Sequence, residues 1–331
     1  MTKPDYDVHG IGNAIVDVLS RQDEAFLDTY GITKSAMTLI DEDRAELLYG
    51  VMGPAIEVSG GSAANTIAGV ASFGGKGVFT GKVRNDQLGD VFSHDIQAEG
   101  VTFTTPRSTS GPSTARCHIL ITPDGERTMN TYLGACVNLG PVDLDEDIIA
   151  KSAITYMEGY LFDKEEAKEA FRAAAAMAKK AGRKVSLTLS DLFCVDRHRA
   201  EFLDLTRNSV DILFANEAEI IALYEASNFD KALAAVRKDC EFAALTRSEK
   251  GCVVVNGEDV ITAPALPIEK LEDATGAGDL FAAGFLFGLT NGRDAENCAK
   301  LGVLAASEII SHVGARPEKS LHELATEHGL A

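Results

Sequence analysis

The sequence predicts an α/β protein: a three-layer α/β/α arrangement around a mostly parallel sheet, carrying a small β appendage. Three observations lead there. From about residue 150 the chain alternates strand-like and helix-like segments, the pattern of repeated βα units. Two glycine-rich loops, near residues 60 and 276, each run straight into an apolar stretch with helical spacing. Residues 100–132 read as strands with no helix between them, so they are expected to leave the main sheet. No linker or repeat divides the 331 residues, which are read as one domain, 1–331, with a β lid built from segments near 17–57 and 100–132.

In order, residues 6–12 form a strand and residues 13–19 continue the apolar run. Gly10-x-Gly12 hints at a dinucleotide fingerprint, but Ile15 stands where the third glycine belongs. Asn13 and Asp17 are polar groups beside or within that run, placed either to bind a ligand's hydroxyls or as a turn and an exposed face. Gly60 and Gly61 precede a helix marked by Ala63, Ile67, Val70 and Ala71 and stopped at Gly74, with Asn65 in its first turns. Residues 101–105, 115–122 and 127–132 alternate as strands, the last two joined by a hairpin at 123–126. Arg116 and Arg127 are read as a solvated strand face rather than as ligands.

Beyond residue 150 come a strand at 153–159 that ends near Glu158, an alanine-rich helix at 164–180, and strands at 185–189 and 211–215. Helices at 217–226 and 230–237, a strand at 242–245, and a hairpin across Asn256-Gly257 follow. The chain closes with helices at 276–290 and 295 to about 311, then a short terminal one. In such a sheet ligands bind beyond the C-terminal ends of the strands, and every candidate above follows a strand.

The most informative stretch is residues 272–279, small, flexible and acidic, running into the apolar 280–289. A tight glycine loop that opens a buried helix lets a ligand approach the backbone, and the free N–H groups of the first turn favour an anion. Asp279 would sit in that turn as a carboxylate beside an anion hole, able to take a proton from a hydroxyl. An aspartate there also complements the helix dipole without any further role.

Composition excludes several classes. Net charge is −19, from 31 Lys+Arg against 50 Asp+Glu, which argues against nucleic acid and anionic membranes as partners. The N-terminal residues lack an apolar signal core and no apolar run reaches membrane-spanning length, so a cytoplasmic location is expected. Six cysteines without a Cys-x-x-Cys pair read as buried small hydrophobes in a reducing compartment. Seven histidines form no zinc pattern, and Gly-Lys-Ser/Thr of a Walker loop is absent.

Taken together, the glycine loops and their order resemble the ribokinase-like (PfkB) family of carbohydrate and nucleoside kinases over essentially the whole chain. Gly60-Gly61-Ser62-Ala63-Ala64-Asn65 is similar to the family's sugar-binding motif, and Asp273-Ala274-Thr275-Gly276-Ala277-Gly278-Asp279 to its C-terminal motif. Asn216-Glu217-Ala218-Glu219 resembles its Asn-x-x-Glu motif, and residues 246–251 its nucleotide loop, with Ser248 in place of the middle glycine. The resemblance implies transfer of the γ-phosphoryl group of ATP to a hydroxymethyl group. Asp279 would be the general base, with Gly276, Ala277 and Gly278 stabilising the transferring group through their N–H donors. Asn13, Asp17, Gly60, Gly61, Asn65 and Glu158 match substrate-binding positions. Thr246, Ser248 and Gly251, with Asn216 and Glu219, match nucleotide-binding ones. Asn216 and Glu219 would hold Mg²⁺ through water, unless they merely cap a helix. Asp273 and Thr275 match the potassium ligands of many members.

The spacing Asn13-x-x-x-Asp17 and the stretch 122–130 resemble the adenosine kinase branch, whereas Glu158 resembles the sugar kinases. A nucleoside such as adenosine is the leading acceptor, a free sugar (ribose or a ketohexose) the alternative. A non-catalytic sensor is the third reading, against which the intact Gly-Ala-Gly-Asp stands. The lid is expected to close over the acceptor and exclude water. Monomer and homodimer are both open.

Overall fold

The computed structural model describes residues 3–330. Its first half runs β1 (Tyr6–Ile11), β2 (Ile15–Arg21), α1 (Glu24–Thr29), β3 (Met37–Leu39), α2 (Glu42–Val51), β4 (Ala55–Gly60), α3 (Ser62–Ser72), β5 (Gly77–Thr80), α4 (Gln87–Ala98), β6 (Thr102–Phe103), β7 (Ala115–Ile121) and β8 (Arg127–Tyr132). The second runs α5 (Glu146–Lys151), β9 (Ser152–Glu158), α6 (Glu165–Lys180), β10 (Lys184–Thr188), α7 (Leu192–Asn208), β11 (Ile212–Asn216), α8 (Glu217–Leu223), α9 (Phe229–Asp239), β12 (Phe242–Thr246), β13 (Cys252–Asn256) and β14 (Asp259–Ala263). It ends with α10 (Ala277–Thr290), α11 (Ala295–Ile309) and α12 (Leu321–Glu327).

Among the described residues nine strands form the main sheet in the order β14-β13-β12-β11-β10-β9-β1-β5-β6. All neighbours are parallel except β13, which is antiparallel to both β12 and β14. The period-2 alternation of the strands decides the layers. Ile154, Tyr156, Ile212, Phe214 and Ala244 join one core with α3, α10 and α11, whereas Met157, Leu213, Ala215 and Leu245 join the other with α6 to α9. In α6, Ala167, Ala170, Phe171, Ala174 and Ala178 recur at helical spacing and are all buried, the stripe that seats it on the sheet. From β1 the chain proceeds through β5 and β6 to one side and from β9 onward to the other. The order therefore reverses between β1 and β9, which opens a crevice at their C-terminal ends.

The smaller sheet has the order β3-β8-β7-β2-β4. It corrects one expectation. Residues 101–105 do not belong to the appendage: β6 pairs in parallel with β5, at the edge of the main sheet, because Phe103 is needed in the core against Phe79 and Phe92. The appendage is built from β7 and β8 with β2, β3 and β4, which fall within or beside the expected segment 17–57. Its two faces differ. His118 and Arg116 reach α2 through the Ala45 carbonyl and Glu46, so that face is covered. The register places Ile15, Asp17, Leu19, Cys117, Ile119 and Met129 together on the opposite face.

Candidate active site

Two helix N-termini meet in the crevice. α3 begins at Gly61 (φ 100°) and α10 at Gly276 (φ 80°), and neither has a side-chain cap. Positive φ at these two positions is a conformation open mainly to glycine, and it turns the chain sharply enough to present the first helical turn. The helices approach closely, since a Cβ on Gly69 would lie 2.6 Å from that of Ala283.

Asp279 sits in the first turn of α10 and is half-buried. Ser62 Oγ donates to its Oδ1 at 2.6 Å and Asn65 Nδ2 to its Oδ2 at 3.0 Å, both from α3. Burial raises its pKa, while those two hydrogen bonds and the Arg316 guanidinium pull it back. The backbone around it is poised for an anion. Ala277 N–H makes one 3.3 Å bond to Ala274, and among the described residues no protein acceptor faces the N–H of Gly276 or Gly278.

Asp17, on β2, faces the same centre. Its carboxylate fills the space left by the missing side chain of Gly60, where a Cβ would lie 2.4 Å from Oδ2. Burial pushes it up to about 6; Arg316 and Arg127 oppose the shift and Asp279 adds to it. Asn65 is buried and joins Asp279 to Arg316.

Asn13 donates to Glu158 through both its side-chain amide and its backbone N–H. Glu158 is 1% exposed; its Oε1 accepts from Asn13 Nδ2 at 2.7 Å, and its Oε2 from Ala63 N at 2.8 Å and Asn13 N at 3.3 Å. The carboxylate thus takes one free N–H at the N-terminus of α3, that of Ala63, and clamps the helix to the end of β1. Burial lifts its pKa to about 7. Gly12 serves the same packing, because a Cβ there would strike Glu158 Oε2 at 2.2 Å, and the dinucleotide fingerprint has no place here.

The nucleotide-loop residues follow β12. Thr246 ends the strand, Ser248 takes a positive φ of 52° and Gly251 one of 80°, so the left-handed turn persists with a serine where the resemblance has glycine. Arg247 binds the loop to α8 through Glu217 at 2.9 Å and lies over the Phe229 ring. Asn216 and Glu219 form a capping box at the start of α8: Asn216 Oδ1 accepts from Glu219 N, and Glu219 Oε2 from Asn216 N, each at 2.9 Å. The capping reading is therefore realised. Among the described residues no cluster of three His, Cys, Asp or Glu is arranged to hold a metal. Glu219 Oε1 also accepts from Asn216 Nδ2 at 2.5 Å, so this pair would meet an ion such as Mg²⁺ only through the waters that the ion keeps.

The potassium ligands fit less well. Asp273 Oδ1 accepts from Thr275 N at 3.0 Å, and its Oδ2 from Gly314 N at 3.1 Å and from Arg127 Nη1 at 2.6 Å. A guanidinium already supplies the positive charge there. Arg127 corrects the solvated-face reading as well: its side chain is 9% exposed, and its Nε and Nη2 are buried without a partner. Sequence reasoning missed Arg316 and Ser62 as site residues. Ser62 lay within the glycine motif; Arg316 offered only an arginine between Ala315 and Pro317.

The model of the pfkB family of carbohydrate kinases matches residues 51–321. The chain belongs to that family. Structures similar to this pfkB protein include the adenosine kinase from Sinorhizobium meliloti, 56% identical, with a TM-score of 0.90 over 98% of this chain and 99% of that one. Another is the probable sugar kinase protein from Rhizobium etli CFN 42, 53% identical, with a TM-score of 0.92 over 99% of this chain and 100% of that one. Among curated relatives, adenosine kinase 1 of Arabidopsis thaliana is 27% identical over 96% of this chain and 99% of its own length. This pfkB protein has the ribokinase-like fold and is an ATP-using phosphotransferase with an alcohol group as acceptor. No helix among its described residues is long and apolar enough to cross a membrane.

Proposed function

We propose that the protein transfers the γ-phosphoryl group of ATP to the 5′-hydroxyl of adenosine or a close nucleoside relative. The observation that carries the acceptor is the apolar face of the smaller sheet that bears Asp17. Half-buried Ile15, Leu19 and Met129 share that face with Asp17 over buried Cys117 and Ile119, an apolar surface with one carboxylate. Such a surface suits a flat base attached to a hydroxylated ring, with Asp17 taking the ring's hydroxyls. A free sugar offers nothing for it to cover. Glu158, the feature that favoured a sugar, has its oxygens occupied by Asn13 and Ala63. Relatives named as adenosine kinases point the same way.

In this reading Asp279 accepts the proton of the 5′-hydroxyl as that oxygen attacks phosphorus, held in place by Ser62 and Asn65. The N–H groups of Gly276, Ala277 and Gly278 receive the developing charge, joined by the free Nε and Nη2 of Arg127. Thr246, Ser248 and Gly251 cradle the nucleotide. Asn216 and Glu219 would hold Mg²⁺ through water, and the bound ion would neutralise charge on the phosphates. The smaller sheet acts as a lid, and Arg127 ties it to the anion loop when it lies closed. Six buried, unpaired cysteines support a reducing, cytoplasmic setting.

ADP release with Mg-ATP tests this against adenosine, inosine, guanosine, ribose, fructose and no acceptor. Adenosine turnover above the free sugars is expected, and Asp279→Asn should lower kcat by about 10²–10⁴-fold while ATP still binds. Turnover with a free sugar alone would overturn the nucleoside reading. An unimpaired Asp279→Asn protein would remove the base.

A further inference from the structure

We propose that Arg316 is a positioning residue for phosphoryl transfer, fixing the amide of Asn65 so that Asn65 holds the Asp279 carboxylate in its reactive orientation. The inference rests on Asp279 being the base. Its ground is a chain of directed hydrogen bonds. Arg316 Nη1 donates to Asn65 Oδ1 at 2.8 Å, and Asn65 Nδ2 donates to Asp279 Oδ2 at 3.0 Å. An asparagine amide has one accepting end and one donating end. With a guanidinium on one side and a carboxylate on the other, only one orientation is favourable. The flipped amide would set its NH₂ against a cation and its oxygen against an anion. Arg316 thus selects the rotamer that gives Asp279 its second donor.

The anchor is itself fixed. Arg316 Nη2 donates to Ser59 Oγ at 2.9 Å, and Ser59 N–H donates to Asp95 on α4 at 2.6 Å. Ser59 and Asn65 flank the Gly60-Gly61 turn, so one guanidinium from the C-terminal loop holds both sides of the loop that carries Ser62. The charged and titratable groups around Asp279 are Asp17 on β2, Tyr156 and Glu158 on β9, Tyr160 beyond it, and Arg316. The carboxylates Asp17 and Glu158 crowd the same centre as Asp279; Arg316 offsets Asp17 and Asp279, Arg127 also acts on Asp17, and Asp95 and Glu99 face Arg316 from the α4 side. Loss of Arg316 removes one of the groups that oppose burial and loosens the Asn65 donor, leaving the Ser62 hydrogen bond, so Asp279 holds its proton to higher pH and the base form is depleted sooner on acidification.

The experiment compares pH profiles of kcat and kcat/KM, with Mg-ATP and adenosine, for wild type, Arg316→Met, Arg316→Lys, Asn65→Ala and Arg316→Met/Asn65→Ala, with thermal unfolding beside them. Arg316→Met should lower kcat by about 10²-fold, the cost of a misplaced catalytic group, and move the acid limb to higher pH. Arg316→Lys should restore the acid limb, because the charge returns, but kcat only in part, because one ammonium cannot replace the two-pronged donor. The double variant should be no slower than Asn65→Ala alone. A wild-type kcat and acid limb in Arg316→Met, or a loss additive to that of Asn65→Ala, would overturn the proposal. Should Arg316→Met fail to fold, Arg316→Lys decides: reduced kcat with a wild-type acid limb supports it, and unchanged kcat rejects it. An active Asp279→Asn protein would sink the base assignment itself, whereas an inactive one beside an unimpaired Arg316→Met would sink only the positioning role.

Discussion

Helices α3 and α10 both start at a glycine of positive φ, both lack a side-chain cap, and both bring their first turns to Asp279. They differ in what meets their free N–H groups. At α3 the Glu158 carboxylate takes the Ala63 N–H, so the chain itself supplies the anion. At α10 the N–H groups of Gly276 and Gly278 have no protein acceptor among the described residues. A helix N-terminus becomes a place for an external anion only when no internal carboxylate has claimed it. Two similar glycine motifs therefore differ in use: one is closed by a carboxylate of the chain, the other keeps donors open to an external anion.

The comparison is broken hardest at Gly276. Gly276→Ala puts a Cβ 3.1 Å from that of Ala315 on a backbone with φ 80°. The turn would relax and carry its donors away from the transferring group, so kcat should fall on the order of 10²-fold. Single-turnover kinetics would read this, and an unchanged chemical step would show that α10 is not the anion hole. Gly61→Ala instead drives a Cβ to 2.1 Å from the Asn13 carbonyl, which is a packing defect. Denaturant unfolding should show a loss of about 1–3 kcal/mol there. If Gly61→Ala spares stability and Gly276→Ala costs it, the two roles are reversed.

Glu158→Gln sharpens the contrast at α3. Burial sets the Glu158 pKa at about 7, above the ordinary 4.5. The folded protein therefore binds this proton more tightly than the unfolded chain. Its stabilising share is full below about pH 4.5 and is lost as pH rises through about 7. Unfolding free energies at acid and alkaline pH should show a weaker pH dependence in the variant. KM for the acceptor should barely move; a KM rise of about tenfold or more, ~1.4 kcal/mol of binding, would make Glu158 a substrate ligand after all. The smallest effect is expected from exchanging potassium for sodium or choline. Because Arg127 already pairs with Asp273, turnover should not change, and activation by potassium would argue that this ion pair opens in the working enzyme.

Much of the site was legible because it lies in two short motifs whose residues act close to where they stand. Local reasoning about glycine and helix ends placed Asp279, Asn65, Gly61 and Gly276, and the family resemblance suggested their roles. Arg127 was misread because alternation along a strand tells which residues share a face and says nothing of what that face meets. Residues 101–105 were misplaced for a similar reason: only the aromatic core around Phe79 and Phe92 shows which sheet a two-residue strand joins. Residues 192–208, which carry no element predicted from the sequence, form α7 on a buried stripe of Val195, Phe202 and Leu205, with a kink at His198.

By itself the sequence determined the alternation of strands and helices, the two glycine turns and the carboxylate in the first turn of α10, since all of these follow from local sterics and periodicity. The tertiary structure alone decided which of several acidic groups stays half-exposed to the crevice. Glu158 and Asp279 are both carboxylates in one crevice, and long-range donors separate them. Asn13 and Ala63 consume the first, while Ser62 and Asn65 orient the second without covering it. Arg316 reaches Asn65 across 251 positions of chain. No local pattern encodes such a contact, because its energy exists only once the intervening sheet has brought the two ends together.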